Sequence, residues 1–223
     1  MEIDNDYAWS TSKPLLASLV EVAEPAFILE LGMGMHSTPL FINSGCDDII
    51  FIDSDKEWLE YIKSNNVFSS GHEILFHDLG HPKMKSVFFK QLTRDQKLEI
   101  KNYYKELSNR IANNINTPKM LFVDNATCCR TLAINTLYKE FDVIIYHDCE
   151  PKGIIWYEYY FEKNLKKEYK NYVLKTPKSW TGCFINCKLD ICMSLEDNIK
   201  KHVLTYSKEI GIDHNKIYLE REY

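Results

Sequence analysis

Seven short apolar runs punctuate the chain, and between them apolar residues recur at every third or fourth position. The runs are Phe27-Ile28-Leu29, then residues 48–53, 73–78, 119–124 and 141–148, and finally 170–175 and 181–186. Runs of this length bounded by polar or turn residues read as strands, whereas the longer periodic stretches read as helices. Ser12 and Pro14 open a first helix that carries Leu15, Leu16, Leu19, Val20 and Val22 and ends near Pro25. Further helices are expected over residues 38–44, stopped by Gly45, and over 56–63, 128–139, 154–167 and 195–210, the last stopped by Gly211. Residues 81–118 show helical spacing from Leu92 to Ile115 and predict one or two helices before Thr117-Pro118 breaks the pattern. Strands alternating with helices imply a parallel sheet covered on both faces. The last two runs flank Thr176-Pro177-Lys178-Ser179-Trp180 and imply an antiparallel hairpin at the sheet edge.

The first run leads into Glu30-Leu31-Gly32-Met33-Gly34-Met35-His36-Ser37-Thr38-Pro39. Two glycines just past a strand let the chain turn sharply and a ligand approach the backbone. Ser37, Thr38 and Pro39 suit the first turn of a helix, whose free N–H groups and dipole favour an anionic or polar ligand. Asp53 closes the second run 19 positions after Gly34. An acid so placed in nucleotide-binding α/β folds accepts hydrogen bonds from ribose hydroxyls, with Asp55 as the second candidate. His77 and Asp78 close the third run, where Asp78 suits either an adenine amino group or a turn cap. Asp124 closes the fourth run, and His147 with Asp148 closes the fifth.

Composition narrows the classes. The 223 residues are 45% hydrophobic and 26% charged with a net charge of −5, which disfavours a general nucleic-acid or membrane-surface binder. Lys163, Lys166, Lys167 and Lys170 read as a solvated helix face. Seven cysteines without close-paired ligand spacing, and an acidic polar start in place of a secretory signal, imply a reduced, cytoplasmic setting without structural zinc. No apolar run approaches the ~20 residues of a membrane span. Tyr7 and Trp9 suit either a lid over a site or a staple to the core, and Trp58 reads as core.

Taken in order, the glycine turn, the strand-end acids and the closing hairpin resemble the class I S-adenosylmethionine-dependent methyltransferases, over roughly residues 13 to 188. The stretch from Glu30 to Thr38 is similar to that family's first motif, and Ser37 stands where a dinucleotide fingerprint has its third glycine. The stretch from Phe51 to Leu59, with Asp53, Asp55 and Trp58, is similar to the second-strand motif of small O-methyltransferases. Phe122-Val123-Asp124-Asn125-Ala126, Arg130 and Ile145-Tyr146-His147-Asp148 resemble a subgroup acting on sugars and small metabolites, several members of which use magnesium. Asn125 departs from the usual glycine but tolerates a left-handed backbone.

The resemblance implies an α/β fold, a Rossmann-like, doubly wound, mostly parallel seven-stranded sheet with a terminal antiparallel hairpin. Residues 1–193 would form one domain with an N-terminal helical lid, and 194–223 a C-terminal helical extension. It places Glu30, Gly32, Gly34, Ser37, Thr38, Asp53, Asp78 and Asp124 around S-adenosyl-L-methionine, with Glu30 reaching the methionine amino group directly or through water. Strand-end acids on neighbouring strands can converge on one cation or one substrate hydroxyl. Asp124 and Asp148 would repel each other unless a metal such as magnesium, a cation such as Arg130 or a shared proton intervenes. His147, Asp148 and Asp124 form the catalytic set, with His147 or Asp148 as base and Asp124 and Asp148 as metal ligands. Arg130, Trp156, Tyr157 and Trp180 would line the site of a sugar, glycan or small-molecule hydroxyl acceptor. A homodimer is compatible with the C-terminal segment.

Two other readings share the cradle. An NAD-dependent oxidoreductase or epimerase would want a third glycine and a Tyr-x3-Lys pair, for which Tyr159 and Lys163 have the spacing. A non-catalytic partner subunit would keep the pocket without turnover.

Overall fold

A computed structural model of the chain describes residues 11–79, 88–151, 160–207 and 213–222. The first five apolar runs become β1 (Phe27–Leu31), β2 (Ile49–Asp53), β3 (His72–Phe76), β4 (Lys119–Val123) and β5 (Val143–His147). They pair in parallel in the order β3-β2-β1-β4-β5. The last two runs become β6 (Tyr169–Lys175) and β7 (Trp180–Asn186), an antiparallel hairpin whose β7 pairs with β5.

An eighth strand, β8 (Tyr218–Glu222), adds to the outer side of β6 and corrects the expected seven-stranded sheet to eight strands among the described residues. Its sequence, Tyr-Leu-Glu-Arg-Glu, has no apolar run because an edge strand buries few side chains. Leu219 packs inward, and Glu220 pairs with Lys175.

Helices cover both faces, as full burial along β1, β2, β4 and β5 demands. On one face α1 (Lys13–Ala23), α2 (Ser37–Ile42) and α3 (Lys56–Ser64) bring Leu15, Leu19, Phe41 and Leu59 onto Ile28, Phe51 and Phe122. On the other, α4 (Arg94–Ala112) and α5 (Arg130–Leu137) bring Tyr104, Leu107, Ile134 and Leu137 onto Leu29, Leu121 and Val123. Thr93 and Gln96 form a capping box that starts α4. After the short α6 (Lys163–Glu168), α7 (Cys192–Tyr206) lies on α1 and sends Leu195, Ile199 and Val203 into the first face's core. Glu21 of α1 binds Lys201 at 2.6 Å and His202 at 2.8 Å. Residues 194–222 thus supply a helix and a strand to the same core and sheet as the rest of the chain. Among the described residues, no helix is long and apolar enough to cross a membrane.

Tyr7, Trp9, Trp156, Tyr157 and Tyr159 lie outside the described residues. The helix expected over 154–167 is corrected in its last half: residues 160–162 are not helical, and α6 starts only at Lys163. Here the Asn135 side chain donates to the Tyr160 carbonyl at 2.6 Å and accepts from the Glu162 N–H at 3.2 Å. An amide that engages one carbonyl and one N–H of a segment offers it strand-like partners in place of helical ones. Lys163, Lys166 and Lys167 are exposed on α6, as a solvated face requires, whereas Lys170 is half-buried in β6 and does not belong to that helix. Asn135→Ala should cost about 1–2 kcal/mol, the worth of two exposed-to-intermediate hydrogen bonds, and urea unfolding followed by circular dichroism would measure it. A loss within error would mean that residues 160–162 hold their shape without the clamp.

Candidate functional site

The strand-end acids lie along the carboxyl edge of the sheet, Asp53, Asp124 and Asp148 in two neighbouring groups and Asp78 apart. The first surrounds the turn after β1. Gly32 has φ +88 and donates its N–H to the Ile52 carbonyl at 2.8 Å. A Cβ built on it would lie 2.4 Å from the Asp124 carbonyl oxygen and 2.6 Å from the Asn125 nitrogen, so glycine is required both for its dihedral and for its lack of a side chain. Two residues on, the Gly34 N–H donates to Thr38 Oγ1 at 3.0 Å.

Glu30 lies beneath this turn with no exposure. Ser37 Oγ donates to its Oε1 at 2.5 Å and Thr38 Oγ1 to its Oε2 at 2.8 Å. Burial pushes its carboxyl up to about 8, against the pull of the two hydroxyls and with the help of the Asp53 and Asp124 charges. Glu30 therefore ties the start of α2 to β1, and both its oxygens are taken by these hydroxyls.

Asp53 holds the turn from the other side. Its Oδ2 accepts from the Met33 N–H at 2.9 Å and its Oδ1 from the Asp55 N–H at 2.7 Å. Burial raises it to about 6, and the backbone N–H groups oppose that rise. Trp58 reads as core from its helical spacing, but its indole N–H donates to the Met33 carbonyl at 2.6 Å. Met33 is thereby clamped through both backbone polar groups. No periodicity could reveal this, because the contact is made by the polar corner of a half-buried ring.

The second group sits at the tips of β4 and β5. Arg130, the first residue of α5, donates Nη2 to Asp124 Oδ1 at 2.7 Å and Nη1 to Asp148 Oδ2 at 3.1 Å. Its Nη1 also reaches the His147 carbonyl at 3.3 Å, and its Nε the Asn125 carbonyl at 2.9 Å. His147 Nδ1 lies 3.2 Å from Asp148 Oδ1 and 3.6 Å from Asp124 Oδ2. Burial alone would lower the imidazole, but the charge of Asp124 and contacts with both acids overcome it and raise His147 to about 10. Burial would likewise raise Asp148, yet His147 and Arg130 hold it well below the usual carboxylate range. Asp148 has φ +57, a left-handed backbone at the strand end of the kind found where a side chain is aimed at a site.

Two hydroxyls that the sequence did not single out complete this group. Thr11 Oγ1 lies 3.4 Å and Ser179 Oγ 3.5 Å from His147 Nε2, and Ser179 also donates to Asp148 Oδ1 at 3.1 Å. Thr11 precedes α1 and Ser179 lies in the β6–β7 turn, so only tertiary folding brings them to β5.

The remaining candidates lie apart. Asp78 lines a cavity of about 280 Å³ at the end of β3 together with His77, Gln96, Glu99 and Tyr103. The His77 ring stacks on Tyr103 with centroids 3.7 Å apart, and burial pushes it down to about 4. Trp180 is half-buried, packs on the core and carries Lys175 Nζ 4.3 Å above its ring. A larger cavity of about 740 Å³ runs between α1 and α2 past Met35 and His36, but none of the strand-end acids lines it. Size alone does not locate the chemistry.

Asp124, His147 and Asp148 each offer one ligand atom within 4.8 Å of the others, a span that a metal ion could bridge. This donor set does not fit a metal ion, because Arg130 holds one oxygen of each carboxylate and the other two face the His147 ring at 3.6 and 3.2 Å, with Ser179 donating to that of Asp148.

No family model and no curated protein matches the chain. Among solved structures, it is similar to a methyltransferase-like protein from Silicibacter pomeroyi DSS-3, at 13% identity and a TM-score of 0.48 over 84% of this chain and 93% of that one. It is also similar to the N-methyltransferase NodS from Bradyrhizobium japonicum WM9, at 11% identity and a TM-score of 0.48 over 83% and 99%. A third is the plantazolicin methyltransferase BamL, solved in complex with a triazolic desmethylPZN analog and SAH, at 12% identity and a TM-score of 0.44 over 93% and 80%.

Because Glu30 binds its proton more tightly in the folded chain than in the unfolded one, its contribution to stability is complete below the ordinary value of 4.5 and is lost as pH rises through about 8. Glu30→Gln removes that dependence and keeps a group that the two hydroxyls can engage. Urea unfolding at pH 5 and pH 9 should show the natural chain losing at least about 1 kcal/mol more than the variant. Parallel losses in the two chains would mean that Glu30 is ionised throughout.

Proposed function

We propose that the chain is an S-adenosylmethionine-dependent methyltransferase that acts on a hydroxyl oxygen, with a sugar, glycan or other small polyol as acceptor. The observation that carries this reading is the hydrogen bond from the Met33 N–H to Asp53. It makes the glycine turn and the ribose-type acid one rigid unit at the carboxyl edge of the sheet, where open α/β sheets bind nucleosides.

In this reading the glycine turn of residues 32–34 lies against the cofactor's amino-acid part without side chains in the way, the Asp53 carboxylate takes its ribose hydroxyls on its remaining lone pairs, and Asp78 faces the adenine side. Glu30 acts through Ser37 and Thr38 by holding the turn in shape, since it lies beneath the turn with no exposure. When bound, the cofactor supplies a methyl group already activated on a sulfonium, so the protein's share is alignment and removal of the acceptor proton.

That proton goes to His147 Nε2, the ring atom beside the hydroxyls of Thr11 and Ser179. Asp148 Oδ1 and Asp124 Oδ2 face the opposite ring nitrogen at 3.2 and 3.6 Å and favour its protonated form. The same carboxylates make the imidazole a strong proton acceptor that is mostly protonated at neutral pH. Turnover should therefore rise with pH toward about 10 rather than level off near the ordinary histidine value of 6.5. The clustered carboxylates and the net charge of −5 suit a neutral hydroxyl compound better than an anionic polymer. Arg130 is spent on protein partners, which leaves acceptor recognition to the β6–β7 turn and the segment at Thr11.

Calorimetric titration of S-adenosylhomocysteine and, separately, NAD into the purified chain tests the class. Binding of the first alone in the micromolar range is expected. NAD binding alone would move the chain to the oxidoreductases, and binding of neither would favour a partner subunit without turnover. Asp53→Asn should weaken S-adenosylhomocysteine at least tenfold, whereas Asp148→Asn should leave that affinity intact and abolish methyl transfer. Equal loss of cofactor affinity in the two would end the proposed division between binding and chemistry.

A further inference from the structure

We propose that Arg130 is the resident cation of the β4–β5 site, standing where a divalent metal would otherwise bridge Asp124 and Asp148. The inference concerns charge compensation in the site; only its bearing on methyl transfer rests on the function proposed above.

Arg130 occupies an unfavourable place for a cation, the first turn of α5, where the helix dipole is positive. Its side chain is only 8% exposed. A guanidinium tolerates both conditions only if its partners repay them, and here two carboxylates and two strand-end carbonyls do so. The pattern joins β4 to β5: Asp124 and Asn125 follow one strand, His147 and Asp148 end the other, and Arg130 bonds to both sides. A divalent ion at this point would do the same two jobs, neutralising the facing acids and fixing the strand tips.

The two cations compete for the same acids. Magnesium requires its oxygen ligands at about 2.0–2.1 Å in octahedral array. Asp124 Oδ1 and Asp148 Oδ2 are engaged by the guanidinium at 2.7 and 3.1 Å, and a metal brought onto the same carboxylates would face a fixed positive charge. A planar fork suits this bridge, since its separate nitrogens reach two acids at once; a lysine ammonium has no such geometry. Arg130 is thus a positioning residue that holds the acids on either side of His147.

Mn2+ titration of the full chain, followed by electron paramagnetic resonance, reads the site without any need for turnover. The natural chain should bind no Mn2+ saturably up to about millimolar concentration. Arg130→Met should gain one saturable Mn2+ site, which low concentrations of guanidinium displace and a second change, Asp124→Asn, removes. A merely structural arginine would give no such gain. Saturable binding by the natural chain that Asp148→Asn abolishes would overturn the proposal, as would a folded Arg130→Met chain that binds none. If circular dichroism shows Arg130→Met unfolded, the natural chain alone decides by the same criterion. Failure of S-adenosylhomocysteine to bind would sink the methyltransferase reading and leave the Mn2+ result standing.

Discussion

The missing side chain at Gly32 is the constraint on which the site depends. At that residue the turn leaving β1 passes the peptide leaving β4 so closely that even a methyl group would overlap the Asp124 carbonyl. This approach sets the cofactor-type turn against the acids of β4 and β5. It also aligns the Asp124 N–H with the Leu31 carbonyl at 2.7 Å, so the two strands part only after this contact. With a larger residue the two groups of functional side chains would be pushed apart, and each would be an ordinary strand end.

Crowding acids along one sheet edge carries an electrostatic cost, and the chain meets it differently at each acid. Glu30 is given two hydroxyl donors and keeps its proton up to about 8. Asp53 is given two backbone N–H groups, which orient it toward the turn. Asp148 is given a guanidinium, an imidazole and a hydroxyl, and is held ionised. Proton affinity along the edge therefore falls into distinct levels although the residue types are nearly the same. Separation of this kind is what a site needs if one group is to hold a ligand and another is to take a proton.

Much of this was legible in the sequence, for physical reasons. Strands buried on both faces must be continuously apolar, so β1, β2, β4 and β5 announce themselves, and a polar residue just past each run falls at the carboxyl edge. The glycine turn is visible because glycine has few other reasons to recur at that point. What escaped notice depends on contacts across the fold. The strand β8 lies at an edge and needs only Leu219 inside. The segment at residues 160–162 takes its polar partners from Asn135, a residue of another helix. Thr11 and Ser179 are common residue types with no local pattern, and they become relevant only where α1 and the β6–β7 turn converge on His147.

The division between the two groups follows from how a parallel sheet is wired. β1 and β2 are adjacent, so the turn after one and the acid ending the other meet in a single cradle, and β4 with β5 repeats the arrangement on the far side of β1. The first pair presents a glycine turn whose Met33 N–H is held by Asp53 and whose Met33 carbonyl is held by Trp58, a surface suited to shape but poor in mobile protons. The second presents side chains whose charges nearly cancel, a surface suited to moving one proton but poor as a platform. Binding and proton transfer thus rest on different strand pairs. The contact between Gly32 and Asp124 keeps them in fixed register while leaving the charge balance of the second pair adjustable by its own residues.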